Sequence, residues 1–284
     1  MPSGYGATQS PPEADPETEL EEATRLLSNN EKERYNRQMI LPRWGERGQM
    51  RLKESVVFVA GAGGLGSPVI LYLAASGVGR IRVCDGGSVE CSNLNRQVLF
   101  TDFDIGRSKC DAVTRAVARV NPHVSVDPVP DRITGGNVET LVGDSCLILD
   151  CLDNFETRYV LNAFSVRRGV PMIHAGVNGM RGQVVFIHPP DTPCLACMAP
   201  ETEPEGAAAR GNPAESRPPG GAFPVVGAAA GVVGSIQALE ALKYLTGAGS
   251  SLSGRMLFWD GQNCTFHLSR ERKDPRCRVC SGSR

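Results

Sequence analysis

The sequence predicts an α/β fold built on a mixed sheet, with helices on both faces. Strand-like and helix-like segments alternate between residues 56 and 174, which is typical of parallel βαβ units. A glycine-rich turn joins the first of these strands to a helix. After residue 174 the strands are separated by short turns that contain glycine. We therefore expect a parallel N-terminal part and antiparallel hairpins in the C-terminal part.

The glycine-rich turn lies in the stretch VVFVAGAGGLG, residues 56–66. Five strand-like residues lead into Gly-x-Gly-x-x-Gly, and an apolar helix is predicted over residues 69–75. Such a turn lets the backbone approach a phosphate, which the positive end of the helix then stabilises. The candidate phosphate contacts are Gly61, Gly63, Gly64 and Gly66. The sheet is therefore expected to be Rossmann-like, but the motif alone does not distinguish a dinucleotide from ATP.

Asp85 is the candidate ribose ligand. It ends the next predicted strand, residues 80–84, and follows Gly66 by 85 − 66 = 19 residues. An acidic residue at about this distance hydrogen-bonds a ribose hydroxyl in nucleotide-binding βαβ units. Strand, glycine turn, helix and carboxylate are thus in the register that nucleotide binding requires.

The remaining elements follow from hydrophobic periodicity. A charged helix is predicted before the first strand, over residues 31–38. The parallel part continues with helices at 110–120 and 155–168 and strands at 125–129, 146–151 and 171–174. The C-terminal part contains a strand at 183–187, an apolar helix at 231–245 and a hairpin of residues 255–260 and 265–268.

Composition divides the chain into a tail and one domain. Residues 1–30 carry six acidic residues and one Arg with little apolar content, which predicts a disordered acidic tail. Residues 31–284 are expected to form a single nucleotide-binding domain. Residues 199–224 are rich in Pro, Gly, Ala and Glu and are expected to form a mobile loop or lid.

Charge and hydropathy exclude several classes of function. The formal net charge is −1, so no strong field favours nucleic acid or an acidic membrane surface. We find no run long enough to span a bilayer and no N-terminal signal peptide. We therefore expect a cytoplasmic protein whose cysteines are reduced.

Two Cys-x-x-Cys pairs predict a structural zinc site. Each pair places two thiolates on one turn, and four thiolates complete a tetrahedral zinc site with no open position. The pairs lie 277 − 197 = 80 residues apart, so the C-terminus has to fold back. A redox pair is the alternative, but neither pair is surrounded by a thioredoxin-like βαβ unit. The predicted ligands are Cys194, Cys197, Cys277 and Cys280.

Three polar residues downstream of Asp85 favour ATP over a nicotinamide dinucleotide. Asn93 and Arg96 lie in a polar loop, and Lys109 opens the following helix. Two cations and an amide beside a glycine turn suit a triphosphate, whereas each residue alone is more often a solvated surface residue.

Asp153 follows the carboxyl end of a predicted parallel strand, where open α/β sheets keep their sites. Its carboxylate is a candidate Mg²⁺ ligand. The alternative is that it caps the next helix. We treat Asp153 and Asn154 together, because the pair offers groups for both purposes.

The other thiols and the histidines give weaker signals. Cys84, Cys146 and Cys151 lie on apolar strands and are expected to be inert core residues. Cys91 is the one remaining thiol close to the nucleotide loop. The four histidines show no ligand spacing; His174 ends a strand, where a buried and hydrogen-bonded histidine is expected.

These segments together resemble the ThiF/MoeB/HesA family, relatives of the ubiquitin-activating enzymes. The resemblance covers residues 31–280 and includes both cysteine pairs. The motifs that carry it are RYNRQ (34–38), GAGGLG (61–66), SNLNRQ (92–97), DCLDN (150–154) and GSIQALEALK (234–243).

The resemblance implies an adenylyltransferase. ATP would be attacked at its α-phosphate by the C-terminal Gly-Gly carboxylate of a ubiquitin-like sulfur-carrier protein, giving an acyl-adenylate and pyrophosphate. Molybdopterin, thiamine and related sulfur pathways all remain open. The roles implied for the site residues are ribose binding by Asp85, phosphate binding by Asn93, Arg96 and Lys109, and Mg²⁺ binding by Asp153.

Arg37 has an implied role of a different kind. It would reach the triphosphate from the other subunit of a homodimer, which explains a site residue so far ahead of the glycine turn. The reaction then needs positioning and charge neutralisation without an obvious general base.

Two departures from the family pattern matter. The family usually has Asp-x-Asp after the second strand, but here Gly86 and Gly87 follow Asp85. Many members carry a cysteine in the mobile loop, but none occurs here between Cys197 and Cys264. We therefore expect a separate sulfur donor. Two alternatives stay open: a nicotinamide-dependent oxidoreductase and a non-catalytic carrier-binding scaffold.

Overall fold

The computed structural model describes residues 26–200 and 224–282. In this part of the chain the strands are β1 (Val56–Ala60), β2 (Arg80–Cys84), β3 (Ser125–Val129), β4 (Leu147–Asp150), β5 (Met172–Asn178), β6 (Arg181–Ile187), β7 (Arg255–Asp260) and β8 (Thr265–Arg270). The helices are α1 (Asn29–Met39), α2 (Gly45–Glu54), α3 (Gly66–Ser76), α4 (Lys109–Val120), α5 (Val138–Val142), α6 (Phe155–Arg168), α7 (Leu195–Met198) and α8 (Gly227–Thr246).

The strands form one sheet in the order β3-β2-β1-β4-β5-β6-β7-β8. The first five positions in this order pair in parallel, and β5 to β8 pair antiparallel. The predicted α/β fold, with a parallel N-terminal part and C-terminal hairpins, is confirmed. The strand order reverses at β1, which has β2 on one side and β4 on the other. Such a switch point opens a crevice at the carboxyl ends of the strands.

Two hydrophobic cores cover the two faces of the sheet. Successive side chains of a strand point to opposite faces. Val57 and Val59 accordingly belong to the core that includes α3, α4 and α8, whereas Phe58 and Ala60 belong to the core under α5, α6 and α7. Burial of β1 on both faces is what its continuous apolar sequence predicts.

Helix α1 begins at Asn29, two residues before the domain boundary predicted at residue 31. Ser28 caps α1, since its hydroxyl accepts from the Glu31 N–H at 3.2 Å and the Glu31 carboxylate accepts from the Ser28 N–H at 2.8 Å. The rest of the predicted tail, residues 1–25, and most of the predicted mobile loop, residues 201–223, lie outside the described residues.

Helix α2 and the short α5 are two elements that the sequence pattern did not predict. Only Met50 and Leu52 among the residues of α2 are large and apolar, so its periodicity is weak. Leu52 and Gln49 are nevertheless buried, and Gln49 donates to the carbonyl of Ser76 at 2.8 Å. Helix α2 is thus stabilised by contacts with residues of α3 that are distant in the sequence.

Candidate active site

The glycine turn after β1 is packed so tightly that its outer two glycines are sterically required. Gly61 has φ +97°, a left-handed conformation that favours glycine. A Cβ atom on Gly66 would lie 2.0 Å from the Gly61 carbonyl oxygen. The first turn of α3 also has no side-chain cap. The turn therefore presents backbone N–H groups that suit a phosphate.

Asp85 lies beside the glycine turn and also hydrogen-bonds its backbone. Its Oδ2 accepts from the Ala62 N–H at 2.8 Å and its Oδ1 accepts from the Gly87 N–H at 2.8 Å. Each carboxylate oxygen has a second lone pair, so hydroxyl groups of a ribose can still be accepted. The sequence predicted only the ribose contact for Asp85, and these hydrogen bonds to the backbone were not predicted.

Lys109 lies beside Asp85. Its Nζ is 4.0 Å from Asp85 Oδ2, and the two side chains are only 14% and 15% exposed. Lys109 begins α4, and its backbone N–H donates to the Gly87 carbonyl at 3.0 Å. The structure thus brings the glycine turn, Asp85 and Lys109 together at the carboxyl ends of β1 and β2.

The loop of residues 93–97 lies over the glycine turn. A Cβ on Gly64 would lie 3.4 Å from Cγ of Arg96, so the stem of Arg96 packs against the turn. The guanidinium donates to the Ser92 carbonyl at 2.7 Å and to Asn95 Oδ1 at 3.0 Å. A cation is therefore held at the edge of the phosphate site.

Two buried amides belong to the same loop. Asn93 accepts from the Glu90 N–H at 3.2 Å, which orients its side chain within the loop. Gln97 Nε2 lies 3.9 Å from the position of a Cβ on Gly63, and its Oε1 is buried without a hydrogen-bond partner among the described residues. Gln97 is a candidate site residue that the sequence analysis did not assign, although it is the neighbour of Arg96 in the SNLNRQ motif.

The turn after β4 places Asp153 at the same edge of the sheet. Asp153 is exposed, and its neighbour Asn154 caps α6 by accepting from the Thr157 N–H at 2.9 Å. The helix cap considered for Asp153 is therefore supplied by Asn154. The Asp153 carboxylate does not cap the helix and is therefore available to bind a cation.

Arg37 lies far from the glycine turn of its own chain. It is exposed near the end of α1, and its neighbour Gln38 donates to the carbonyl of Ser76 at 2.8 Å. Ser76 is the last residue of α3, whereas Gly66 is the first, so the two are about 15 Å apart along the helix. The structure does not bring Arg37 together with the other predicted site residues within one chain.

Three ionisable side chains that the sequence analysis did not connect lie buried below the Asp153 turn. His174 Nδ1 is 2.6 Å from Asp150 Oδ2, and Arg158 Nε is 3.6 Å from the same oxygen. Burial lowers the pKa of His174, so its imidazole is neutral near pH 7. Burial also acts to raise the pKa of Asp150, but Arg158 and His174 outweigh it and the pKa falls below its usual value. The expectation of a buried, satisfied His174 is confirmed.

Gln237 of α8 ties two strand ends together. Its Nε2 donates to the carbonyls of Asp150 at 3.0 Å and Ile173 at 2.8 Å. Gln237 is fully buried, so the apolar helix carries one polar side chain that completes the backbone hydrogen bonds of β4 and β5.

The structure brings the two Cys-x-x-Cys pairs into one four-cysteine cluster, made of Cys194, Cys197, Cys277 and Cys280. Its sulfur atoms all lie within 4.8 Å of one another, with separations of 3.9, 3.7 and 3.4 Å for the hydrogen-bonding pairs. A tetrahedron of sulfurs around zinc has edges of about 3.8 Å, given Zn–S bonds near 2.3 Å. The donor set and its geometry therefore fit zinc.

The remaining thiols differ in exposure. Cys84 and Cys151 are buried as predicted, and burial raises the pKa of Cys84 to about 12 and that of Cys151 well above its usual value. The prediction that Cys146 is a core residue is wrong. Cys146 is exposed because it precedes β4, although its thiol donates to the Val56 carbonyl at 3.3 Å. Cys91 is exposed.

Fold and site together define a nucleotide-binding α/β protein with a cysteine cluster. The model of the ThiF family matches residues 35–279. The chain belongs to the ThiF family, which confirms the resemblance predicted from the motifs.

Three relatives show which proteins this chain is similar to, and the first two are similar to it in length. The SAMP-activating enzyme E1 of Haloferax volcanii is 41% identical over 257 residues, which covers 90% of this chain and 92% of the relative. The sulfur carrier protein adenylyltransferase of Thermus thermophilus is 41% identical over 258 residues, with 89% and 92% covered. The adenylyltransferase and sulfurtransferase MOCS3 of Drosophila virilis is 37% identical over 273 residues, but this chain spans 58% of its length.

Solved structures agree on the fold. Escherichia coli MccB with succinimide superimposes with a TM-score of 0.75 and covers 91% of this chain and 76% of MccB, at 24% identity. PaaA superimposes with a TM-score of 0.72 at 26% identity, with 86% and 75% covered. Across residues 26–200 and 224–282, no helix is long and apolar enough to cross a membrane.

Proposed function

We propose that this chain is an ATP-dependent adenylyltransferase that activates the C-terminal Gly-Gly carboxylate of a ubiquitin-like sulfur-carrier protein. One observation carries the proposal. The glycine turn, Asp85 and Lys109 converge at the carboxyl ends of β1 and β2, in a chain that is 41% identical to a sulfur carrier protein adenylyltransferase. This arrangement suits a nucleotide whose phosphates need a nearby cation.

The reaction is an in-line displacement at phosphorus. A carboxylate oxygen of the carrier forms a bond to the α-phosphorus of ATP, and the bond from that phosphorus to the bridging oxygen breaks. Pyrophosphate leaves with the electron pair, and the carrier becomes a mixed anhydride with AMP. The carboxylate is ionised at neutral pH, so no proton has to be removed from it.

The residues of the site contribute position and charge. In this proposal Asp85 binds the ribose, Asn93 and Asn154 contribute amides, and Lys109 and Arg96 neutralise the phosphate oxygens as charge moves onto pyrophosphate. Asp153 would hold Mg²⁺, which would supply positive charge to offset the charge that develops on pyrophosphate.

We further propose a homodimer in which Arg37 completes the site of the partner subunit. The distance of about 15 Å along α3 between the glycine turn and the region of Arg37 supports an action in trans. A separate sulfur donor would then act on the acyl-adenylate. The ten unpaired cysteines suit a reducing compartment, which supports a cytoplasmic reaction.

The four-cysteine cluster would hold one structural zinc ion. Burial raises the pKa of Cys194 to about 11, so this sulfur keeps its proton unless a cation replaces it. With four sulfurs facing one point, no ligand position stays open for catalysis. The metal would join residues 277–280 to α7, next to the start of the long loop.

Two other functions use part of the same site. A nicotinamide-dependent oxidoreductase would use the glycine turn and Asp85 but gives no role to Lys109 or Arg96. A carrier-binding scaffold would bind the carrier without turning over ATP. ATP binding without NAD binding excludes the first, and carrier-dependent turnover excludes the second.

The test is exchange of labelled pyrophosphate into ATP, measured against a panel of carriers that end in Gly-Gly. We expect carrier-dependent exchange, and we expect Lys109→Ala, Arg96→Ala and Asp153→Ala each to lose roughly 100- to 1,000-fold. The matched control is Arg119→Ala, which removes an exposed cation from the same helix as Lys109 and should keep full activity. Full exchange in all three site variants, with folding intact, would refute the site assignment.

A further inference from the structure

Three buried ionisable residues below the Asp153 turn have no part in the reaction described above. Asp150 is the last residue of β4, His174 lies in β5, and Arg158 lies in α6. Their side chains are 0%, 0% and 8% exposed. We call these three residues the Asp150 cluster.

Both oxygens of the Asp150 carboxylate accept a hydrogen bond from the protein. Oδ2 accepts from His174 Nδ1 at 2.6 Å and faces Arg158 Nε at 3.6 Å. Oδ1 accepts from the Leu152 N–H at 3.1 Å. The other ring nitrogen of His174 accepts from Gln183 Nε2 at 3.4 Å, which agrees with a proton on Nδ1. The Asp150 carboxylate and the His174 ring are thus each held in one orientation, whereas Arg158 Nε is buried without a hydrogen-bond partner among the described residues.

Arg158 also hydrogen-bonds the backbone just before Asp153. Its Nη2 donates to the carbonyl of Leu152 and, at 3.1 Å, to the carbonyl of Ala175. Its guanidinium also lies over the ring of Phe155, 5.2 Å from the centroid. Leu152 is therefore fixed at its N–H by Asp150 and at its carbonyl by Arg158.

The other side of Asp153 is fixed as well. Asn154 caps α6 through the Thr157 N–H at 2.9 Å. Asp153 is exposed between these two anchored neighbours. Since both flanking residues are held, the backbone at Asp153, and with it the direction of its Cα–Cβ bond, follows from the Asp150 cluster and the helix cap.

Stability alone does not explain the cluster. Removing an arginine and a carboxylate from water is costly, and apolar residues of similar volume often stabilise a core as well or better. Apolar residues lack the directional hydrogen bonds that hold Leu152, namely the Asp150 acceptor for its N–H and the Arg158 donor for its carbonyl. We propose that Asp150, His174 and Arg158 are positioning residues that fix the Leu152 backbone, so that the Asp153 carboxylate meets the Mg²⁺ of bound Mg·ATP.

This inference rests on the proposed function, because it assigns Asp153 to the metal. It makes a separable claim. Loss of the cluster should weaken the part of nucleotide affinity that depends on Mg²⁺, and should leave the binding of metal-free ATP to the glycine turn, Asp85 and Lys109 unchanged.

The experiment measures the dissociation constant of a fluorescent ATP analogue in Mg²⁺ and in EDTA, and takes the ratio. Arg158→Lys keeps the positive charge but loses the planar guanidinium, whose Nη2 reaches the Leu152 and Ala175 carbonyls while its Nε faces Asp150. Its Mg²⁺-dependent gain in affinity should fall by roughly 10- to 100-fold, as for residues that orient metal ligands. Affinity in EDTA should stay within about twofold. Arg168→Lys, on the same helix but exposed, is the matched control and should keep the wild-type ratio.

Asp150→Asn is a second, independent variant that tests the same claim if Arg158→Lys does not fold. It keeps the volume and one acceptor for the Leu152 N–H, and we expect its ratio to fall in the same direction. A lower melting temperature with a wild-type ratio in both variants would make the cluster merely structural and would overturn the inference.

Asp153→Ala separates this failure from failure of the proposed function. If Asp153→Ala lowers the ratio and the cluster variants do not, only the inference fails. If wild type shows no gain from Mg²⁺, or Asp153→Ala leaves that gain unchanged, Asp153 is not the metal ligand and the inference falls with that assignment.

Discussion

Replacing Asp85 by alanine should destabilise the protein as well as impair nucleotide binding. The Asp85 carboxylate accepts from two backbone N–H groups at 2.8 Å each. Ala62 is fully buried, so its N–H would lose its acceptor without gaining water, at a cost of about 1.5–3 kcal/mol for a bond to a charged group. Gly87 is exposed, so water replaces that bond and the cost is below about 1 kcal/mol.

Together these terms give a loss of about 1.5–4 kcal/mol in the free energy of unfolding. For a domain of this size each kcal/mol lowers the melting temperature by about 2–4 °C, so we expect a decrease of roughly 3–16 °C. Thermal unfolding followed by circular dichroism measures this decrease. Nucleotide affinity, measured below the unfolding range, should fall at least about tenfold because the ribose loses its acceptor.

Asp102→Ala is the control for Asp85→Ala. Asp102 is an exposed carboxylate near the same loop, and its loss should change stability by no more than about 0.5 kcal/mol. If Asp85→Ala melts as the Asp102 variant does, Asp85 does not hold the glycine turn. If it also binds nucleotide with wild-type affinity, its ribose role is wrong too.

Three further predictions concern the metal, the dimer and the thiols. Freshly purified protein should contain one zinc per chain, and elemental analysis that finds no zinc rejects the site. If bound zinc stabilises the fold by about 4 kcal/mol, a chelator or Cys280→Ser should lower the melting temperature by roughly 8–16 °C. The control Cys264→Ser should leave the melting temperature unchanged. Mixing Arg37→Ala chains with Lys109→Ala chains should restore about a quarter of wild-type exchange, since half of the dimers then hold one intact site; heterodimers as inactive as both parents would show that Arg37 does not act in trans. Incubation with ATP, Mg²⁺ and carrier should give no thiol-sensitive conjugate on a non-reducing gel. The buried thiols have raised pKa values, and the sulfurs of the four-cysteine cluster would be bound to zinc. A conjugate that disappears in Cys91→Ser would make Cys91 a nucleophile.

The order of elements could be read from the sequence because its signals are local. The strand β1, its glycine turn and α3 follow one another within 21 residues, Val56 to Ser76, and each has its own periodicity or turn chemistry. The same holds for Asp85, which lies at a fixed distance from Gly66. The role of a residue within one short motif can therefore be predicted from its neighbours in the sequence.

Burial of individual thiols was less predictable. Cys84 and Cys146 both stand in apolar stretches of sequence, but only Cys84 is inside a strand. Cys146 lies one residue before β4, where the exact strand boundary decides whether a side chain faces the core. Sequence patterns place such boundaries only to within a few residues.

The sequence by itself determined the kind of chemistry, and the tertiary structure decided which residues meet. The two cysteine pairs predicted a metal site, but only folding of the C-terminus against α7 brings sulfurs 80 positions apart to within 4.8 Å. Asp150, Arg158 and His174 carry no shared motif, since they come from two strands and a helix and meet through the β4–β5 pairing. Arg37 lies in the family motif yet far from the site of its own chain. Long-range contacts depend on how strands pair and helices pack, and a local pattern does not contain that information.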